Sequence, residues 1–128
     1  MFEGQVVRGL QLGRKIGFPT LNIDWKWKAH NADKAGEIGE NLPVFGVYSC
    51  LVDGLPAVCH FGPKFGSPQA VLEAHVIGDF NEDWYGKIVS IDLKDFIRGP
   101  LNFENPKELK AQIAKDVQIA KALFTSNS

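Results

Sequence analysis

An Asp-Gly pair at positions 53 and 54 stands between two apolar runs, Val44 to Val52 and Leu55 to Phe61. That pair tolerates the positive φ values of a two-residue turn, so the runs are predicted to form an antiparallel hairpin. A hairpin alone cannot cover its own apolar face, so the remaining chain must add sheet. Thirteen glycines and seven prolines punctuate further short apolar runs, a mostly β pattern. Gln5 to Arg8 reads as a first strand, and an extended segment resumes at Leu21-Asn22-Ile23 after Pro19. Val71 to Ile77 and Ile88 to Phe96 read as two more strands, with Gly78 to Gly86 turning between them. The polar stretch Lys26 to Asn41 reads as a long surface connection.

The period then changes. Leu109, Ile113, Val117, Ala120 and Phe124 recur at helical spacing. Asn105 suits an N-cap, Pro106 the first helical position, and Glu108 a capping box. A lone helix with one apolar stripe must lie on the sheet. The expected architecture is a small closed β-barrel of about six strands with a C-terminal helix on its flank, one domain over residues 1–128.

Composition narrows the function classes. Apolar residues make up 45% of the 128, enough for a real core. Fourteen basic residues against fifteen acidic ones leave a charge of -1, which argues against a nucleic-acid-gripping surface. No apolar run is long enough for a membrane helix, and Met1-Phe2-Glu3-Gly4 does not begin a signal peptide. A cytoplasmic monomer is expected. Cys50 and Cys59 have no zinc spacing and are expected as two packed, reduced thiols, although a hairpin disulfide is geometrically open to them.

Four segments offer chemistry. Gly9 to Gly17 carries three glycines with Arg14 and Lys15, and could wrap phosphates with backbone N–H groups and charge. It has neither the Walker A nor the dinucleotide-binding spacing, and a plain hairpin loop is the competing reading. Next, Pro19 precedes Thr20 and Asn22, which share a face if the segment is extended. Two neutral oxygens converging on one point suit Mg²⁺, with phosphate and water completing the shell. Turn and strand-end hydrogen bonding is the alternative. Third, Glu73 and His75 share one face of a strand whose other face is Leu72, Ala74 and Val76. Glu73 is either a solvated side chain or a general base toward a hydroxyl, and is expected to turn inward. Fourth, Trp25-Lys26-Trp27-Lys28 reads as a strand edge with buried indoles, or as a base-stacking strip.

In this order the segments resemble the riboflavin kinase (flavokinase) family. The resemblance runs from Gly4-Gln5-Val6-Val7-Arg8-Gly9 through Gly17-Phe18-Pro19-Thr20-Leu21-Asn22 and Phe45-Gly46-Val47-Tyr48. It continues through Leu72-Glu73-Ala74-His75 and Asp83-Trp84-Tyr85-Gly86-Lys87 to Ile97-Arg98, Phe103 and the helix from Leu109. Pro-Thr-x-Asn is its most specific mark. The resemblance implies a six-stranded antiparallel Greek-key barrel with a C-terminal helix, and the reaction of ATP with riboflavin to give FMN. It implies Mg²⁺ on Thr20 and Asn22, and Glu73 as the group that activates the ribityl 5′-hydroxyl. It implies ATP contacts along Gly9, Arg14, Lys15, Gly17, Pro19 and Thr20, where a family flap closes, and along Val76, Gly78 and Tyr85 for adenine and ribose. It places Arg98, Leu101 and Phe103 beside the flavin.

Three departures stand out. Leu21 replaces the usual Ala of the motif, and its side chain should point away from the metal. The segment Gly62-Pro63-Lys64-Phe65-Gly66 is shorter than its bacterial counterparts, and Gly99-Pro100-Leu101 replaces a common Pro-Glu-Lys run. The adenylyltransferase half fused to most bacterial versions has no counterpart here. Met1 fits a stand-alone enzyme, with an excised domain as the other reading.

Overall fold

A computed structural model describes residues 1–7, 20–27, 42–63, 70–78, 84–99 and 105–126. Six strands, β1 (Phe2–Val7), β2 (Leu21–Trp27), β3 (Gly46–Val52), β4 (Leu55–Gly62), β5 (Val71–Val76) and β6 (Ile88–Arg98), precede one helix, α1 (Pro106–Ser126). The strands close into an antiparallel barrel in the order β1-β2-β5-β4-β3-β6. Closure removes every sheet edge, so β2 is an interior strand and not the edge that Trp25-Lys26-Trp27 suggested.

Period-two alternation sets the two faces. Phe2, Val6, Ile23, Cys50, Val52, Ala57, Cys59, Phe61, Leu72, Ala74, Val89 and Ile91 fill the interior. Trp25 and Trp27 pack against that cluster, with edge-on contacts to Phe2 at 5.3 and 4.9 Å. The Trp25 indole N–H donates to the Ala70 carbonyl at 3.0 Å. Both rings therefore serve the core, which disfavours the base-stacking reading. Cys50 and Cys59 are buried free thiols, as expected.

The Asp53-Gly54 turn has φ values of 47° and 87°, the doubly positive geometry of a tight hairpin. β1 starts earlier than Gln5, because Phe2 alternates inward with Gly4 and Val6. Gly4 is required by a close approach: a Cβ there would lie 2.0 Å from the Asp24 carbonyl oxygen. Along β6 the register with β3 slips near Tyr48, and the Ser49 hydroxyl accepts the Asp95 N–H at 3.0 Å, pairing an amide within the slip.

Asn105 caps α1, its side-chain oxygen accepting the Glu108 N–H at 2.9 Å. Val117 and Ala120, with Ile113 and Phe124 beside them, cover Val47 and Val58 on the outer wall of β3 and β4. The buried stripe also holds a charge. Asp116 is 2% exposed and takes Arg98 in a two-pronged ion pair at 2.9 to 3.2 Å, with Gln112 donating at 3.1 Å.

Candidate active site

The strand register assembles the site. Asn22 on β2 lies directly opposite Glu73 on β5, and Glu73 lies directly opposite His60 on β4. Side chains of such partners sit about 4.5–5.5 Å apart at Cβ and share a face. The face is the outer one. Leu72, Ala74 and Val76 are the buried residues of β5, so the alternation turns Glu73 and His75 outward. The expected inward position of Glu73 is thus corrected: three apolar neighbours claim the interior, and the carboxylate is half-buried on the barrel wall.

Thr20 stands half-buried two residues before Asn22, at the start of β2. Leu21 between them packs against the core, away from Asn22, as expected for the residue that replaces Ala. Threonine hydroxyl and asparagine carbonyl are both hard oxygen donors, the chemistry Mg²⁺ prefers. Among the described residues no three His, Cys, Asp or Glu form a metal cluster.

Antiparallel closure gives the barrel two unlike ends. At one end lie the end of β1, the start of β2 with Thr20, the end of β5 with Val76 and Gly78, and the start of β6. Tyr85 sits in the turn before β6. That turn is fastened to β1: the Val6 N–H donates to the Lys87 carbonyl and the Gly86 N–H to the Val6 carbonyl, both at 2.9 Å. Tyr85 is therefore held beside the strand whose last residue, Val7, pairs with Asn22. Val76 is 8% exposed with its side chain in the core, which leaves its backbone as the part able to meet a ligand. Gly78 is exposed with a φ of 111°, a conformation that favours glycine.

Arg98 lies at the other end, where β6 finishes. Its guanidinium is engaged by Asp116 and by the Gly99 carbonyl at 3.1 Å, so it fastens the helix to the strand. Sequence reasoning missed this clamp. An Asp in the apolar stripe of a helix was the available signal. Gly9, Arg14, Lys15, Gly17, Pro19, Leu101 and Phe103 lie outside the described residues, as does Lys28.

A scan against protein families matches the riboflavin kinase (Flavokinase) family over residues 1–124. The chain belongs to the riboflavin kinase family. It is 35% identical to a bifunctional riboflavin kinase/FMN adenylyltransferase of Haemophilus influenzae, covering 96% of this chain and 38% of that protein. It is 36% identical to the Escherichia coli K12 protein of the same description, over 95% and 37%. The chain thus spans well under half the length of these bacterial relatives. The riboflavin kinase of Mus musculus is 29% identical, over 93% of this chain and 77% of that one. Among solved structures, a Streptococcus pneumoniae protein titled a macrolide-efflux protein superposes with a TM-score of 0.74 at 28% identity, over 93% and 37%. Riboflavin kinase from Trypanosoma brucei shares the fold, with a TM-score of 0.61 at 22% identity over 97% and 78%. No helix of the described residues is long and apolar enough to cross a membrane.

Proposed function

We infer that this chain transfers the γ-phosphate of ATP to the ribityl 5′-hydroxyl of riboflavin, releasing FMN and ADP. Family membership supports the reading, and one geometric observation carries it at the level of residues. Asn22 and Glu73 are direct cross-strand partners on the outer wall. A candidate metal ligand and a candidate base are therefore side by side, between a nucleotide end and the opposite end of the barrel.

Phosphoryl transfer asks a protein mainly for positioning and charge stabilisation. Thr20 and Asn22 would hold Mg²⁺, which when bound neutralises charge on the nucleotide phosphates. Glu73 accepts the proton of the 5′-hydroxyl as its oxygen attacks the γ-phosphorus, while the bond from that phosphorus to the β-phosphate oxygen breaks. Tyr85, Gly78 and the backbone at Val76 would bind the nucleoside. Gly9, Arg14, Lys15, Gly17 and Pro19 would complete the phosphate side, and Arg98, Leu101 and Phe103 the flavin side. Residues 1–128 act as one kinase domain, read as a cytoplasmic monomer with no nucleic-acid or membrane partner.

The test is chromatographic. Incubation with riboflavin, ATP and Mg²⁺ should yield FMN without FAD. Quenching of riboflavin fluorescence with no FMN would instead favour a catalytically weak flavin-binding barrel. The adjacency of Glu73 to Asn22 speaks against that second reading.

A further inference from the structure

Across the strand from Glu73, the outer wall carries a polar group that the reaction described so far does not use. His60 lies directly opposite Glu73, on the side away from Asn22. The row across the wall therefore runs Val7, Asn22, Glu73, His60 and Val47. At Val47 it disappears under α1, where Val117 and Ala120 cover it. His60 thus stands at the last uncovered step before the helix, half-buried in the corner between barrel wall and helix.

The ring's direction is also fixed. A Cβ built on Gly62 would lie 3.5 Å from His60 Nε2 and 3.4 Å from Phe45 Cβ. The imidazole therefore leans along β4 toward Gly62 and Phe45. That is the end of the barrel opposite Thr20, because Gly62 pairs with Val71 while Leu21 pairs with Ala74. Glu73 separates the two: metal and nucleotide donors on one side, His60 with the 47%-exposed Phe45 ring on the other.

In-line transfer puts the attacking and leaving oxygens on opposite sides of the transferred phosphorus. With the nucleotide phosphates on the Thr20 side and Glu73 receiving the attacking hydroxyl's proton, the acceptor approaches from the side away from Thr20, where His60 neighbours Glu73. The acceptor there is a chain of hydroxyls. An imidazole carries one donor and one acceptor in its neutral form, which matches a hydroxyl in either sense. We propose that His60 is a substrate-positioning residue that hydrogen-bonds the polyol chain of the acceptor beside the hydroxyl taken by Glu73. The proposal rests on the riboflavin kinase reading and deepens it by assigning a specificity residue for the acceptor's side chain.

The test compares two ligands by fluorescence quenching: riboflavin, and a flavin ring bearing a methyl group in place of the ribityl chain. His60→Leu keeps bulk and removes both polar atoms. It should weaken riboflavin roughly three- to tenfold, the effect of one hydrogen bond, and leave the ring-only flavin unchanged. His60→Gln, which keeps polar atoms near the Nε2 position, should recover most of the loss, and the KM for ATP should not move. Equal weakening of both flavins, or no weakening of riboflavin, overturns the assignment. Binding is read without turnover, so an unmodified chain that forms no FMN would defeat the kinase reading separately.

Discussion

Replacing Asp116 by Ala should cost the fold more than any surface ion pair could. The Asp116 side chain is 3% exposed and that of Arg98 18% exposed. The carboxylate accepts three contacts from the guanidinium and one from Gln112. Its removal strips the Arg98 guanidinium of its carboxylate counter-charge, and the neutral Gly99 carbonyl does not replace it. Breaking a buried pair on one side costs about 3–5 kcal/mol, and the partial exposure of Arg98 argues for about 3. With a urea dependence of about 1–3 kcal/mol per molar, the midpoint should fall by roughly 1–3 M. The assay is urea unfolding followed by tryptophan fluorescence, since Trp25, Trp27 and Trp84 all pack in or against the core. Replacing both partners by apolar residues, Arg98→Met with Asp116→Leu, should recover most of the loss, because no charge is then stranded. A cost below about 1 kcal/mol for Asp116→Ala, the range of exposed pairs, would mean that no buried charge is stranded and that the pair does not clamp the helix.

Gly4→Ala should destabilise by about 1–3 kcal/mol in the same assay, since its Cβ would collide with the Asp24 carbonyl across the β1–β2 seam. Asn22→Ala should weaken Mg-ADP binding at least roughly tenfold by calorimetry while riboflavin still binds, as for loss of a metal-site partner. The hydrogen bond with Cys50 and burial push the Cys59 thiol well above its usual range. Both folded and unfolded chains keep that proton below about pH 8.5, so its effect appears only above that pH. The unfolded chain then loses the proton first, and stability falls by about 1.4 kcal/mol per pH unit from this group. Cys59→Ala should flatten that alkaline decline in urea titrations at successive pH values, and an unchanged slope would contradict it.

Much of the fold was legible because its signals are local. The Asp53-Gly54 turn, the Asn105 cap and the helical stripe from Leu109 to Phe124 each follow from neighbouring residues. Barrel closure is not local, so Trp25 and Trp27 read as an edge when they line an interior strand. The inward expectation for Glu73 failed for a related reason. A carboxylate in mid-strand suggested a special interior position, yet Leu72, Ala74 and Val76 already occupy the interior. Thr20, Asn22 and Glu73 were legible as types on faces, but only strand order makes Asn22 and Glu73 partners. Asp116 in the apolar stripe of the helix signals a buried charge locally, but its partner Arg98, and the placement of His60 beside Glu73, depend on elements distant in sequence.

Glu73, the outer-wall carboxylate opposite Asn22, is the proposed acceptor of the proton during transfer. Glu73→Gln tests it most directly, because the amide keeps size and polarity and loses basicity. The rate of FMN formation should fall by about 10²- to 10⁴-fold, the usual share of a general base, with Mg-ADP and riboflavin affinities unchanged. Near-normal FMN formation by Glu73→Gln would contradict it.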